Sequence, residues 1–254
     1  MFSGTRGSGA VFFSGCPLRC AFCQNREISA FQKGEVCDEG RLSELFLDLQ
    51  AQGAHNINLV TPTPHLAAIR PALLRAKTEG LRIPVLYNTG GYDDVEALRK
   101  MEGLIDIYLP DLKYATPELS LRFSGTADYF QYAAPAILEM QRQVGALQIN
   151  EAGIASRGLL IRHLVLPACV DETRRVLDFI AEALPEGTWI SLMRQYTPAS
   201  SLPPPLHRRV TRREYDRAVE YCIQTGLSNV LIQERAAADA AFTPPFFEKL
   251  DGRS

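Results

Sequence analysis

The chain holds one tryptophan, four methionines and four histidines in 254 residues, and neither sign of charge dominates it. Lys and Arg number 27 against 29 Asp and Glu, a formal net charge of −2 that gives no electrostatic reason to expect nucleic acid. No apolar run approaches the roughly 20 residues needed to span a bilayer. No secretory signal is recognisable either, so the cytoplasm is the expected compartment. No Gly-rich dinucleotide fingerprint follows the first apolar segment, which counts against a nucleotide-binding doubly wound sheet. Cysteine is scarce too: six in a chain this long are too few for a disulfide framework. What is present fits a globular chain. Apolar residues at 46% supply a sizeable core, and charged residues at 22% argue against disorder.

Half of the cysteines fall within eight residues. Cys16, Cys20 and Cys23 stand in the run GCPLRCAFCQN with the spacing C-x-x-x-C-x-x-C, directly after Ala10 to Phe13, which reads as a strand. A four-iron cluster normally takes four thiolates. A loop offering three leaves one iron without a protein ligand, where a substrate or cofactor can bind. A structural zinc site would want four ligands in paired Cys-x-x-Cys units, and the nearest histidine in sequence, His55, lies far outside the loop. Structural thiols have no reason to cluster where Gly15 and Pro17 shape a tight turn. Cys37, Cys169 and Cys222 are scattered and read as buried or partly buried thiols.

Strand and helix patterns alternate along the rest. Leu42, Leu45, Phe46 and Leu49 stripe one face of a helix that stops near Gly53, and Ile57 to Val60 follows as a strand. A helix over about 65–77, a strand at Ile83 to Tyr87 and a helix over about 93–101 continue the series. Ile105 to Leu109, an irregular stretch, a helix within 128–143 and a strand from Leu159 to Leu166 come next. Val176, Ile180, Ala183 and Leu184 mark another helix, and Trp189 to Met193 another strand. Thr211 and Glu214 have capping-box spacing at the head of the last helix, and Val230 to Ile232 suits a terminal strand. Such alternation implies parallel βαβ units. The expected fold is α/β: a partial TIM barrel of (β/α)6 type over residues 1–235, with an extended tail over 236–254 and the cysteine loop after the first strand. A doubly wound sheet is the runner-up.

Barrels keep their active sites at the C-terminal ends of their strands. Polar residues recur there: Thr61-Pro62-Thr63, Asn88-Thr89-Gly90-Gly91, Asp111 and Lys113, Arg162 and His163, then Arg194, Gln195 and Tyr196. Singly each is ordinary turn chemistry. Together they could bind a zwitterionic ligand, with a cation near its carboxylate.

The cysteine spacing, with Phe22 just before the last cysteine, resembles the signature of the radical S-adenosylmethionine (SAM) superfamily. The order of CxxxCxxC, NTGG, DLK and an Arg-bearing strand ending in LP is similar to the branch typified by pyruvate formate-lyase-activating enzyme. The phrases GSGAVFFSGCPLRCAFCQN, NINLVTPT, YNTGGY, IDIYLPDLKY, IRHLVLP and SLMRQY look like an activase-related subgroup, over nearly the whole chain. The resemblance implies a 4Fe–4S cluster on Cys16, Cys20 and Cys23, with SAM on its open iron. One-electron reduction would cleave SAM to a 5′-deoxyadenosyl radical that takes hydrogen from a substrate. It implies Phe22, Thr61, Thr63, Asn88, Thr89, Asp111, Lys113, Arg162 and Gln195 around SAM, although Phe22 reads equally as a packing residue. The expected partners are an electron donor such as flavodoxin or ferredoxin and a glycyl radical enzyme as substrate. A small molecule or peptide substrate is the alternative, and a non-catalytic electron-transfer protein a third reading. Two departures stand out. Thr61-Pro62-Thr63 replaces the Gly-Gly-Glu type of turn common in the branch, and longer relatives begin with a cysteine-rich segment where this chain starts almost at its first strand.

Overall fold

The computed structural model describes residues 1–30, 33–198, 202 and 204–232. The 236–254 tail expected from composition lies outside the described residues. Among the described residues the strands are β1 (Gly9–Phe12), β2 (Ile57–Val60), β3 (Val85–Thr89), β4 (Ile107–Pro110), β5 (Gln148–Ile149), β6 (Ala155–Leu164), β7 (Trp189–Met193) and β8 (Val230–Ile232). The helices are α1 (Arg26–Ser29), α2 (Glu39–Ala51), α3 (Leu66–Glu79), α4 (Val95–Arg99), α5 (Pro117–Ser124), α6 (Tyr129–Val144), α7 (Val170–Ala183) and α8 (Arg212–Gln224).

The sheet runs β1-β2-β3-β4-β6-β7-β8, every pair parallel, and β5 is a short antiparallel strand beside β6. Among the described residues the order ends at β1 and β8, which do not pair with each other, so the barrel is partial and open. Among the described residues the parallel series has seven members: six strands and the expected terminal strand Val230–Ile232, which joins them.

The two-residue period of a strand sorts side chains between two cores. Val85, Tyr87, Tyr108, Leu159 and Ile161 belong to the large core shared with the helices. Their alternates Leu86, Ile107, Leu109 and Leu160 form a smaller core inside the curve of the sheet, closed by Met1, Phe2, Trp189 and Leu231. This inner face decides where the site lies. The same phase carries Leu86 to Asn88, Leu109 to Asp111 and Leu160 to Arg162. Each inner row is apolar low in the barrel and turns polar at its C-terminal end. An isolated bridge between Asp111 and Arg162 extends the β4–β6 pairing into the polar tier.

Element bounds differ from expectation where side chains compete with the ladder. β3 starts at Val85 because Pro84 has no N–H and the Ile83 N–H is taken by the Gln50 side chain at 3.1 Å. It runs on to Thr89, so Asn88 and Thr89 are strand residues rather than loop. β4 is displaced likewise, to 107–110, and β6 begins at Ala155 and ends at Leu164. The irregular stretch before α6 contains α5, eight residues with Pro117 in the first turn and Gly125 left-handed at its end. The capping box of α8 forms between Thr211 and Glu214.

Candidate active site

The cysteine loop is held by backbone bonds on two sides. Gly15 N–H donates to Ile28 O of α1 at 2.9 Å, Arg19 N–H to Ser124 O at 3.0 Å and Ala21 N–H to Phe123 O at 2.8 Å, the last two at the end of α5. Cys23 N–H closes a turn onto Cys20 O at 3.1 Å. Ser124 Oγ donates to Cys20 Sγ at 3.0 Å, and Ser29 Oγ lies 3.2 Å from Cys23 Sγ. Phe22 meets Tyr196 edge to face, with ring centroids 6.1 Å apart. Phe13 stacks on His65, whose Nε2 donates to Ser14 O at 2.6 Å. Neither α1 nor α5 is expected from the apolar pattern, so neither serine is legible as a partner of a cysteine.

All three cysteines are half-buried and line one cavity of about 270 Å³. Burial pushes the Cys16 thiol up to about 11 and raises Cys20 as well, so thiolates here need positive charge beside them. No three Cys, His, Asp or Glu side chains among the described residues converge tightly enough for a single metal ion. Three separated sulfurs in one wall suit a larger group met at several corners, not a mononuclear zinc.

The opposite part of the wall comes from strand ends. Thr61, Asn88, Thr89, Gly90, Asp111, Lys113, Arg162 and Gln195 all line the same cavity. Asp111 Oδ1 lies 2.7 Å from Arg162 Nη2, and its Oδ2 is paired with Lys113 Nζ. Arg162 Nη2 also donates to Asn88 Oδ1 at 2.8 Å. Burial opposes charge on Asp111, but the Arg162 guanidinium and the Lys113 ammonium outweigh it and hold the carboxyl below its usual range. The same pairing outweighs burial at Lys113 and raises its pKa. Two cations against one carboxylate leave the trio with net positive charge. Arg162 Nε, buried, has no hydrogen-bond partner among the described residues. A free buried donor in a positively charged wall fits a bound carboxylate.

Of the nine residues expected around SAM, Thr63 alone is not in the cavity wall. Its Oγ1 donates to Asp93 Oδ1 at 2.7 Å and lies 3.1 Å from Thr89 Oγ1, so it ties the turn from behind. Asp93, fully buried, also accepts Tyr87 OH at 2.7 Å and Thr89 Oγ1 at 2.6 Å. Burial raises the Asp93 carboxyl's pKa against these three donors. His163, on the opposite face from Arg162, faces the helices: Nδ1 is 2.6 Å from Leu112 O and Nε2 is 3.0 Å from Thr173 Oγ1.

A sequence model of the radical SAM superfamily matches residues 10–180. The chain belongs to the radical SAM superfamily. Its cofactors are accordingly a 4Fe–4S cluster and SAM, and the separated cysteines and cationic wall suit both. An uncharacterized protein of Methanocaldococcus jannaschii is 30% identical over 224 residues, 84% of this chain and 61% of that one. The chain thus spans about three fifths of that relative. SuiB of Streptococcus suis bound to its precursor peptide SuiA superposes with a TM-score of 0.56 at 16% identity, over 89% of this chain and 48% of that chain. SuiB bound to SAM gives 0.55 at 14%, over 89% and 47%. HydG, the FeFe-hydrogenase maturase of Carboxydothermus hydrogenoformans, gives 0.54 at 16%, over 89% and 53%. These likenesses are of fold. No helix among the described residues is long and apolar enough to cross a membrane.

Proposed function

We propose that Cys16, Cys20 and Cys23 ligate three irons of the cluster and that the strand-end wall receives SAM, its carboxylate toward Arg162 and Lys113. Asn88 stands beside these cations and offers hydrogen bonds to its ribose or methionyl end, backed by Thr89, whose hydroxyl is bonded to Asp93, with Thr61 and Gln195 at the flanks and Phe22 packing the loop against Tyr196. The observation carrying this reading is that the three-cysteine loop and the charged trio share one cavity. When bound and reduced by one electron, the pair supplies a 5′-deoxyadenosyl radical that takes a hydrogen atom from the substrate. The chain's own residues then have three tasks. They hold the sulfurs, orient a zwitterion, and limit water at the reacting centre.

For the substrate we propose the glycine of a glycyl radical enzyme, with flavodoxin or ferredoxin as electron donor. The reading rests on the activase-like order of the motifs. A peptide or small molecule is the second reading; SuiB, of the same fold, is seen bound to a precursor peptide. A purely electron-transfer protein has no need of the cationic wall. Anaerobically reconstituted and reduced protein, given SAM and the glycyl radical enzyme of the same genome, is expected to yield 5′-deoxyadenosine and the glycyl radical's EPR doublet. Deoxyadenosine without the doublet would remove that substrate and leave the second reading. No deoxyadenosine under any condition would remove both.

A further inference from the structure

We infer that Asp93 and Tyr129, neither of which reaches the cavity wall, are positioning residues that hold three strand-end turns in the mutual placement SAM binding requires. The inference rests on the SAM reading above and deepens it.

The sheet's own hydrogen bonds reach the site at one place, where Asp111 N–H donates to Thr89 O and Leu112 N–H to Arg162 O, both at 2.9 Å. The β2–β3 register ends at Val60 and Asn88, and β3–β4 at Thr89 and Pro110. Thr61, Gly90 and Lys113 stand beyond those pairs, where the ladder constrains them little, and Asp111 is the last residue of β4's end that it holds. Two buried side chains take over. Asp93 accepts the hydroxyls of Thr63 and Thr89, joining the turn after β2 to the end of β3, and accepts Tyr87 OH from within β3. Gly91 N–H then donates to Thr89 Oγ1 at 3.2 Å. Tyr129 joins the end of β3 to the end of β4. Its hydroxyl lies 2.9 Å from Gly90 O and 2.7 Å from Asp111 O, and accepts Lys113 N–H at 3.0 Å. Its ring is fixed by Tyr114, edge to face at 5.4 Å, and stacked by Tyr92 at 6.2 Å.

Thr61, Gly90 and the Asp111–Lys113 pair are thereby set relative to one another by two buried hubs. A ligand touching all three turns at once is sensitive to shifts of less than an ångström. This layer also accounts for the missing Gly-Gly-Glu type of turn. Thr63 anchors the Thr61-Pro62-Thr63 turn internally, to Asp93, and leaves Thr61 at the wall.

The test compares two deletions of a buried tyrosine hydroxyl. Tyr129→Phe removes the pin; Tyr108→Phe removes a hydroxyl that donates to Gln143 at 2.7 Å, on the helix side of β4 and away from the cavity. Each reconstituted holoprotein is measured for iron content, melting temperature and SAM affinity by anaerobic calorimetry. Tyr129→Phe is expected to keep its iron and melt like Tyr108→Phe, yet bind SAM about tenfold more weakly, while Tyr108→Phe binds within about twofold of wild type. Should Tyr129→Phe not fold, Asp93→Asn, expected to lose about fivefold, takes its place against the same control. SAM binding within twofold of wild type in these variants, or an equal loss in Tyr108→Phe, overturns the positioning role. A wild-type holoprotein that binds no SAM overturns the functional reading itself, a separate and distinguishable result.

Discussion

Cys20→Ala is expected to leave a folded protein that assembles no stable 4Fe–4S cluster and makes no 5′-deoxyadenosine above background. That is a loss on the order of a thousandfold or more, because the ligands act as one unit. Cys16→Ala and Cys23→Ala should behave alike, since two thiolates leave the cluster exposed to loss. The serines grade the effect. Ser124→Ala keeps all three sulfurs and removes only the hydroxyl donating to Cys20 Sγ at 3.0 Å, so a fall of about tenfold is expected. Cys37→Ala, at an exposed thiol outside the cavity wall, should change nothing. Iron and sulfide analysis with deoxyadenosine chromatography reads the whole series. A Cys20→Ala protein with full iron and wild-type cleavage would show that the ligands are wrongly chosen.

The second large effect is at Gly91. Its φ is +84°, a conformation L side chains rarely adopt, and a Cβ there would overlap the Asp111 carbonyl oxygen and lie 2.8 Å from Tyr129 OH. Neither neighbour can yield: one is backbone of the β4 end and the other is the buried pin of that same end. Gly91→Ala is expected to cost roughly 3–5 kcal/mol, combining left-handed strain with displacement of a buried hydrogen-bonded layer. For a domain of this size that lowers Tm by on the order of 10 °C. Gly90→Ala is the control. Its Cβ would meet only side chains, Leu18 Cδ1 at 3.2 Å and Lys113 Cε at 3.6 Å, and it needs no positive φ. It should cost about 1 kcal/mol or less. Urea midpoints of the two apoproteins settle the comparison, and equal midpoints would mean the layer behind the site is softer than described.

The cysteines are legible in the sequence because spacing within one short loop is a local property. The inner-face residues are legible in part because strand period carries across a turn: Leu86 predicts Asn88, and Leu160 predicts Arg162. Asp111, Lys113 and Arg162 are visible as charges at strand ends, but not as one ion-paired unit, which depends on β4 lying beside β6. Thr63 departs from its expected place at the wall, since the turn after β2 sends its hydroxyl behind the cavity to Asp93. Ser124, Asp93 and Tyr129 escape sequence reading for a physical reason. Each meets the site through a contact spanning elements, and alone reads as a helix end or a packing residue. In YNTGGYDD the only hint is an acidic residue two after a glycine pair, a pattern equally suited to the cap of α4, which Asp94 in fact provides.

The most direct measurement is the EPR spectrum of the reduced, reconstituted protein before and after SAM. With Cys16, Cys20 and Cys23 as the ligands and the Asp111–Lys113–Arg162 wall facing the fourth iron, the reduced 4Fe–4S signal should change shape when SAM is added. The change should be weakened in Arg162→Ala at the same SAM concentration. A wild-type spectrum unmoved by saturating SAM would contradict the account, because the three-cysteine loop and the cationic wall would then not be one site.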